Sequence, residues 1–97
     1  MAGFCEIAAS EMGGNVFDMI GKEWMLITAR MSGDRNKFNT MTASWGGMGV
    51  LWMKDVCFIV VRPERHTYSF IESSEEFTLS FLGNGHRDAL NLCGIVS

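Results

Sequence analysis

The spacing of the strand-like segments is the feature that most constrains the fold of this 97-residue chain. Four segments are dense in β-branched and large apolar residues, and nothing between them has the pattern of a long crossover helix. Parallel strands need such a crossover, so we predict antiparallel pairing. The four predicted strands are WMLITARM (24–31), TMTASW (40–45), VCFIVVR (56–62) and FTLSFLG (77–83).

Three short helices are predicted beside these strands. Asn15 is a good N-cap for the first helix, which places Phe17 and Ile20 on one apolar face. Thr67 is the predicted N-cap of the second helix. The helices are predicted over residues 15–24, 67–76 and 85–94.

The predicted fold class is mainly β (α+β), an antiparallel barrel-like sheet with short flanking helices. Four strands are too few to close a barrel, because about six to eight strands are the fewest that wrap around a side-chain core. We therefore expect the 97 residues to hold an incomplete barrel, completed by further sequence or by a second subunit.

The predicted strands differ in how much of their surface they bury. TMTASW alternates hydroxyl-bearing and apolar side chains, which predicts a strand with one buried face. VCFIVVR is continuously apolar, which predicts a strand buried on both faces, with Cys57 as an inert core residue and Pro63 ending it. The polar segment SGDRNKFN (32–39) is predicted to be a loop.

Composition, charge and cysteine use argue against several classes of protein. A net charge of −3 and a pI near 5.2 give no general attraction to nucleic acid. Three cysteines without a CxxC pair, and two histidines 20 residues apart, suggest neither a disulfide framework nor a metal site. No segment approaches the roughly 20 apolar residues of a membrane helix, and MAGFCEIAAS lacks a basic leader region. We expect a cytoplasmic protein with reduced thiols.

Two stretches are candidates for ligand binding, and the first is RPERHT. Arg62, Arg65 and His66 come just before the second predicted helix. A helix N-terminus with two guanidiniums beside it suits a phosphomonoester. The alternative is a solvated turn whose arginines pair with Glu64 or Glu72.

The second candidate stretch is NTMTASWGG (39–47). A strand with hydroxyls on one face, ending at Trp45 and two glycines, lets a planar heterocycle approach the backbone closely. The alternative is that Gly46 and Gly47 only bend the chain at a sheet corner while Trp45 packs in the core.

With both stretches in view, the sequence resembles the flavin reductase-like family, the FMN-binding split barrels that include flavoredoxin. The resemblance covers nearly the whole chain. The matching blocks, in order, are NVFDMIGKEWMLITA, NTMTASWGGMGVLW, VRPERHTYSFI, FTLSFL and HRDALNLCG. The second and third of these blocks are the ones specific to the family. Asp55 departs from the proline expected there. Family members are usually well over a hundred residues long, so the resemblance implies that residues 1–97 are the N-terminal part of a single split-barrel domain.

The resemblance also implies a cofactor site. Residues 39–45 would border the isoalloxazine ring and ribityl chain of FMN, and the RPERHT residues would surround its phosphate. No protein side chain is expected to act as a catalytic acid or base. The implied cofactor-binding residues are Asn39, Thr40, Met41, Thr42, Ala43, Ser44, Trp45, Arg62, Arg65, His66 and Thr67.

The activity implied by the family is that of an oxidoreductase, an NAD(P)H:flavin oxidoreductase. Electrons would pass from NADH or NADPH through bound FMN to free flavin or to an acceptor protein, in a homodimer with FMN near the subunit interface. Two alternatives stay open from the sequence. One is an FMN-binding electron carrier that does not oxidise nicotinamide, and the other is a non-catalytic β-domain that binds a protein partner.

Overall fold

A computed structural model of the chain describes residues 5–74 and 76–96. Within these ranges there are five strands, three α-helices and two short 3-10 turns, the latter at Ala9–Glu11 and Asn84–His86. The strands are β1 (Met25–Met31), β2 (Asp34–Ala43), β3 (Gly46–Leu51), β4 (Lys54–Ile59) and β5 (Thr78–Ser80). The helices are α1 (Val16–Gly21), α2 (His66–Ser74) and α3 (Arg87–Val96).

The strands form two separate sheets. One has three strands in the order β2-β1-β5, and the other is the β3–β4 hairpin. Every pairing between the described strands is antiparallel, and these strands do not close into a barrel. The predicted class is therefore confirmed: the chain is an antiparallel, mainly β domain with short helices.

The core lies on one face of β1 and β2. Met25 and Ile27 are completely buried, and the register sets them opposite Ala43 and Met41 of β2. Ile20 of α1 completes this cluster. The register pairs two apolar residues at both of these positions, because β1 and β2 alternate with the same period of two. The alternation predicted for β2 is confirmed.

The polar segment 32–39 is not the predicted loop. Only Ser32 and Gly33 form the turn, with Gly33 at a φ of 83°, and β2 begins at Asp34. Arg30 pairs with Phe38 in the ladder. A ladder needs only backbone groups, so a polar, exposed segment extends the hairpin once a glycine supplies the tight turn.

The β3–β4 hairpin bears on two expectations. The stretch after Trp45 leaves the first sheet and forms β3 of the second, in which Gly46 pairs with Ile59. A Cβ on Gly46 would collide with the carbonyl oxygen of Phe58, so the glycine permits close strand approach.

The second expectation concerns β4, which is not buried on both faces. Cys57 is exposed and Phe58 is 58% exposed, whereas Val56 and Ile59 are half-buried. Among the described strands the hairpin pairs only with itself, while α1 contacts β3 and Ile59 packs against the core.

The helices follow the predicted positions with changes at their ends. The side chain of Asn15 accepts hydrogen bonds from the backbone of Phe17 and Asp18, which confirms the predicted N-cap. Phe17 nevertheless points to solvent, with 86% of its surface exposed. Helix α2 begins at His66, so Thr67 lies inside the first turn and is not the N-cap. No helix in the described parts of the chain is long and apolar enough to cross a bilayer.

Candidate functional site

A cleft lies where β2 ends and the segment after β4 runs beside it. The backbone N–H of Val60 donates to the carbonyl of Trp45 at 3.3 Å, which holds the two segments together. The resulting cavity, here called the β2 cleft, has a volume of about 380 Å³. Its lining residues are Met41, Thr42, Ala43, Ser44, Trp45, Val60, Arg62, Glu64 and Arg65.

Trp45 forms one wall of the β2 cleft. It is 51% exposed, so the interpretation that it packs in the core is wrong. The Arg62 guanidinium lies 4.9 Å from the centroid of the Trp45 ring, a cation–π distance. This contact fixes an aromatic surface and a positive charge side by side at the mouth of the cleft.

Arg62 also forms a surface ion pair with Glu64, the pairing that the sequence offered as an alternative to phosphate binding. Its Nη1 lies 3.9 Å from Oε1 of Glu64, and both side chains are more than half exposed. An exposed pair at this distance stabilises the fold by no more than about 1 kcal/mol. The Glu64 carboxylate therefore leaves the Arg62 guanidinium able to bind a competing anion.

Arg65 brings a second arginine side chain to the lining of the cleft. Its backbone N–H donates to the Arg62 carbonyl at 3.0 Å, which closes the tight turn between the two arginines. Its Nη2 donates to the carbonyl of Gly94 at 3.4 Å and so contacts α3. Two arginines in one lining make the cleft suited to a phosphate or another anion.

Four of the predicted site residues lie outside the lining of the cleft. The Asn39 side-chain amide donates to the Thr67 hydroxyl at 2.7 Å, and Thr67 is completely buried. The hydroxyl of Thr40 is 3.0 Å from that of Thr28 on the neighbouring strand. His66 is exposed, and its ring packs edge-on against Phe70. Their roles in cofactor binding stay predictions.

Two lining residues, Val60 and Glu64, were not predicted. The signal for Val60 is its spacing from Arg62, since residues two apart on an extended segment point to the same side. Glu64 lies in the tight turn between Arg62 and Arg65, and no sequence signal indicates its position. A second groove of about 250 Å³ lies on the other side of Thr42 and Ser44, against α3. The Thr42 hydroxyl donates to the carbonyl of Leu90, which ties α3 to the strand between the two cavities.

The family model for the flavin reductase like domain matches residues 18–97. The chain belongs to the flavin reductase-like family. Comparison with curated proteins and with solved structures gave no match. Family membership indicates an oxidoreductase function that involves flavin.

The β2 cleft of this flavin reductase-like chain brings side chains of several kinds together. Its volume of about 380 Å³ lies within the range of typical small-molecule pockets. The lining combines the Arg62 and Arg65 side chains with the half-buried Ser44 and the exposed Trp45, against whose ring Arg62 lies. Cationic, hydroxyl and aromatic side chains in one cavity suit a ligand that has both an anionic group and a planar ring.

Proposed function

We propose that the chain binds FMN in the β2 cleft and belongs to an oxidoreductase that passes electrons from NADH or NADPH to free flavin or to a protein acceptor. The observation that carries this proposal is the convergence of the β2 end with Arg62 and Arg65 in one cavity. The two stretches are about 20 residues apart in sequence, and the family match gives a common reason for both.

Each side chain of the cleft has a proposed task. Arg62 and Arg65 bind the phosphate through charge-assisted hydrogen bonds. Residues 41–44 border the ribityl chain and ring, where Met41 and Ala43 supply a rigid, buried floor. Trp45, held by Arg62, shields one side of the cleft from water. Bound FMN supplies the hydride and electron chemistry, and the protein orients it and limits solvent access.

Absorption spectroscopy tests this proposal. FMN is titrated into the purified chain, and the complex is mixed anaerobically with NADH, NADPH or dithionite in separate stopped-flow runs. The proposal predicts a saturable shift of the flavin spectrum and bleaching by at least one nicotinamide. Bleaching by dithionite alone would support an electron carrier instead, and a chain that takes up no FMN would contradict the proposal.

A homodimer with FMN near the interface is part of the same proposal. It is supported by exposed apolar side chains at the end of the β3–β4 hairpin, where Trp52 is 89% and Met53 is 98% exposed. Sedimentation equilibrium with and without FMN measures the assembly mass, and a monomer under both conditions would contradict this part. A reducing cytoplasm is the proposed location, in keeping with free Cys5, Cys57 and Cys93.

A further inference from the structure

A buried polar contact joins the two elements that flank the β2 cleft. The Asn39 amide of β2 donates to the Thr67 hydroxyl of α2 at 2.7 Å, although the two residues are 28 positions apart in sequence. Thr67 is completely buried. Such a bond is costly to break on the Thr67 side, because the buried hydroxyl then loses its partner away from water, whereas Asn39 is half-buried. We call this contact the Asn39–Thr67 clamp.

The two residues of the clamp lie outside the lining of the cleft, and each is two positions in sequence from a lining residue. Asn39 precedes the first lining residue of β2, Met41, by two positions. Thr67 follows Arg65 by two positions, and the N–H of Tyr68 donates to the Arg65 carbonyl at 3.0 Å. The clamp therefore fixes the backbone that carries Arg65 relative to the strand that forms the cleft.

The clamp and α3 hold Arg65 from opposite sides. The clamp sets the position of its backbone, and the Gly94 carbonyl accepts a hydrogen bond from its Nη2. A long, flexible side chain loses less conformational entropy on binding when its base is already fixed. The hydrogen bond between Asn39 and Thr67 therefore lowers the entropy that the half-buried Arg65 loses when it binds an anion.

We infer that Asn39 and Thr67 are positioning residues for Arg65, and that they act on the phosphate of FMN through Arg65 and not by contact. The inference rests on the proposed function. It changes the role expected for these two residues, since the complete burial of Thr67 separates its hydroxyl from the cleft. It also makes a specific prediction: loss of the clamp weakens binding to the FMN phosphate only when Arg65 is present.

The test uses Thr67→Val, which removes the hydroxyl at nearly constant volume, and Thr67→Ser, which restores it. Dissociation constants for FMN and riboflavin are measured for both variants, for Arg65→Ala and for the Thr67→Val/Arg65→Ala double variant. Ser73→Ala is the matched control. It removes the 2.9 Å hydrogen bond from the Ser32 N–H, which tethers α2 at its far end.

The inference predicts that Thr67→Val weakens FMN binding about fivefold, as expected for one net hydrogen bond, and riboflavin binding much less. Thr67→Ser and Ser73→Ala keep the wild-type ratio of the two affinities. In the Arg65→Ala background, Thr67→Val no longer changes that ratio. A loss of equal size in both backgrounds would show that Thr67 contacts the phosphate itself and would overturn the inference.

Amide hydrogen exchange supplies a measurement that does not depend on flavin. Thr67→Val should raise exchange in the first turn of α2, residues 66–69, more than in β1, while Ser73→Ala should not. Uniform loss of protection in both elements would overturn the inference. Failure of the wild-type chain to bind FMN would refute the proposed function, and exchange would then decide on its own whether the clamp fixes the Arg65 segment.

Discussion

The three-stranded sheet and the β3–β4 hairpin both contain apolar strands, but they bury them to very different extents. In β1, Met25 and Ile27 are completely buried. In the hairpin, Val50 is 73% and Phe58 is 58% exposed, and the turn residues Trp52 and Met53 are almost fully exposed. Helices α2 and α3 pack on β1 and β2, and α1 contacts β3 of the hairpin. Among the described strands the hairpin pairs only with itself.

This difference shows what an apolar pattern does and does not determine. The alternation in β2 determines which face of the strand is buried, because its apolar side chains must be covered for the strand to be stable. A continuous apolar run such as VCFIVV is compatible with burial on both faces but does not supply the elements that would cover them. The candidate site lies where the two regions meet, at residues 44–46.

The largest expected effect on stability comes from comparing a methionine-to-alanine substitution in the sheet with one in the hairpin. Met25→Ala should lower the free energy of unfolding by about 2–5 kcal/mol, because it leaves a cavity in a closed core. Met53→Ala, at a residue that is 98% exposed, should change it by less than about 0.5 kcal/mol. Urea unfolding followed by circular dichroism measures both. Similar losses for the two variants would show that the hairpin turn is packed as tightly as the sheet.

The junction between the regions can be tested at two glycines of β3. Gly46→Ala places a methyl group against the carbonyl oxygen of Phe58, so we expect it to destabilise the chain by about 1–3 kcal/mol. Gly49→Ala is the control, because nothing lies within 4 Å of the added Cβ. Its effect should stay within about 0.5 kcal/mol. Equal stability of the two variants would contradict the close approach of β3 and β4 at Gly46.

A smaller effect, of opposite sign, is expected at the hairpin turn. Trp52 and Met53 both adopt left-handed backbone angles, with φ of 51° and 64°. Such angles cost an ordinary L-residue about 1–2 kcal/mol, whereas Asn-Gly adopts them readily. Trp52→Asn combined with Met53→Gly should therefore raise the free energy of unfolding by about 1 kcal/mol. A loss of stability would mean that these two side chains make contacts worth more than the strain.

The smallest expected effect concerns α2, the helix that covers the sheet. A hydrogen bond to Glu72, the negative charge of that carboxylate and burial raise the pKa of Tyr68 above its ordinary value of 10.0. The folded state therefore holds the phenol proton more tightly than the unfolded state. The stability from this contact is complete below pH 10 and is lost as pH rises through the raised pKa.

Tyr68→Phe tests this pH dependence. The variant should lose less stability than wild type as the pH rises above 10, and the two should run parallel at lower pH. The urea midpoint is followed against pH for both proteins. Identical slopes at high pH would show that Glu72 does not hold the Tyr68 proton.

The sequence predicts local features well and long-range ones less well. Asn15 as an N-cap and the alternation in β2 follow from short-range chemistry, and both are confirmed. The start of β2 at Asp34 was missed, because cross-strand pairing and not residue preference makes that segment a strand. The hydrogen bond between Asn39 and Thr67 was not predicted either, since the two residues are 28 positions apart in sequence.

The candidate site was predicted to a similar degree. The grouping of residues 41–45 with Arg62 and Arg65 follows from two recognisable stretches, and the structure places both on one cleft. Glu64 in the lining and the contact of Arg65 with Gly94 could not be predicted, because they arise from the packing of α3 and the tight turn between the arginines.

The most direct test of the central claim compares FMN with riboflavin on three forms of the chain: wild type, Arg65→Ala and Arg30→Ala. The ligands differ only in the phosphate, and Arg30 is an exposed arginine of β1 that lies outside the β2 cleft. Arg65→Ala should weaken FMN binding about tenfold or more and riboflavin binding far less, while Arg30→Ala keeps the wild-type ratio. Equal weakening of both ligands by Arg65→Ala, or an equal change in the ratio from Arg30→Ala, would contradict phosphate binding in the β2 cleft.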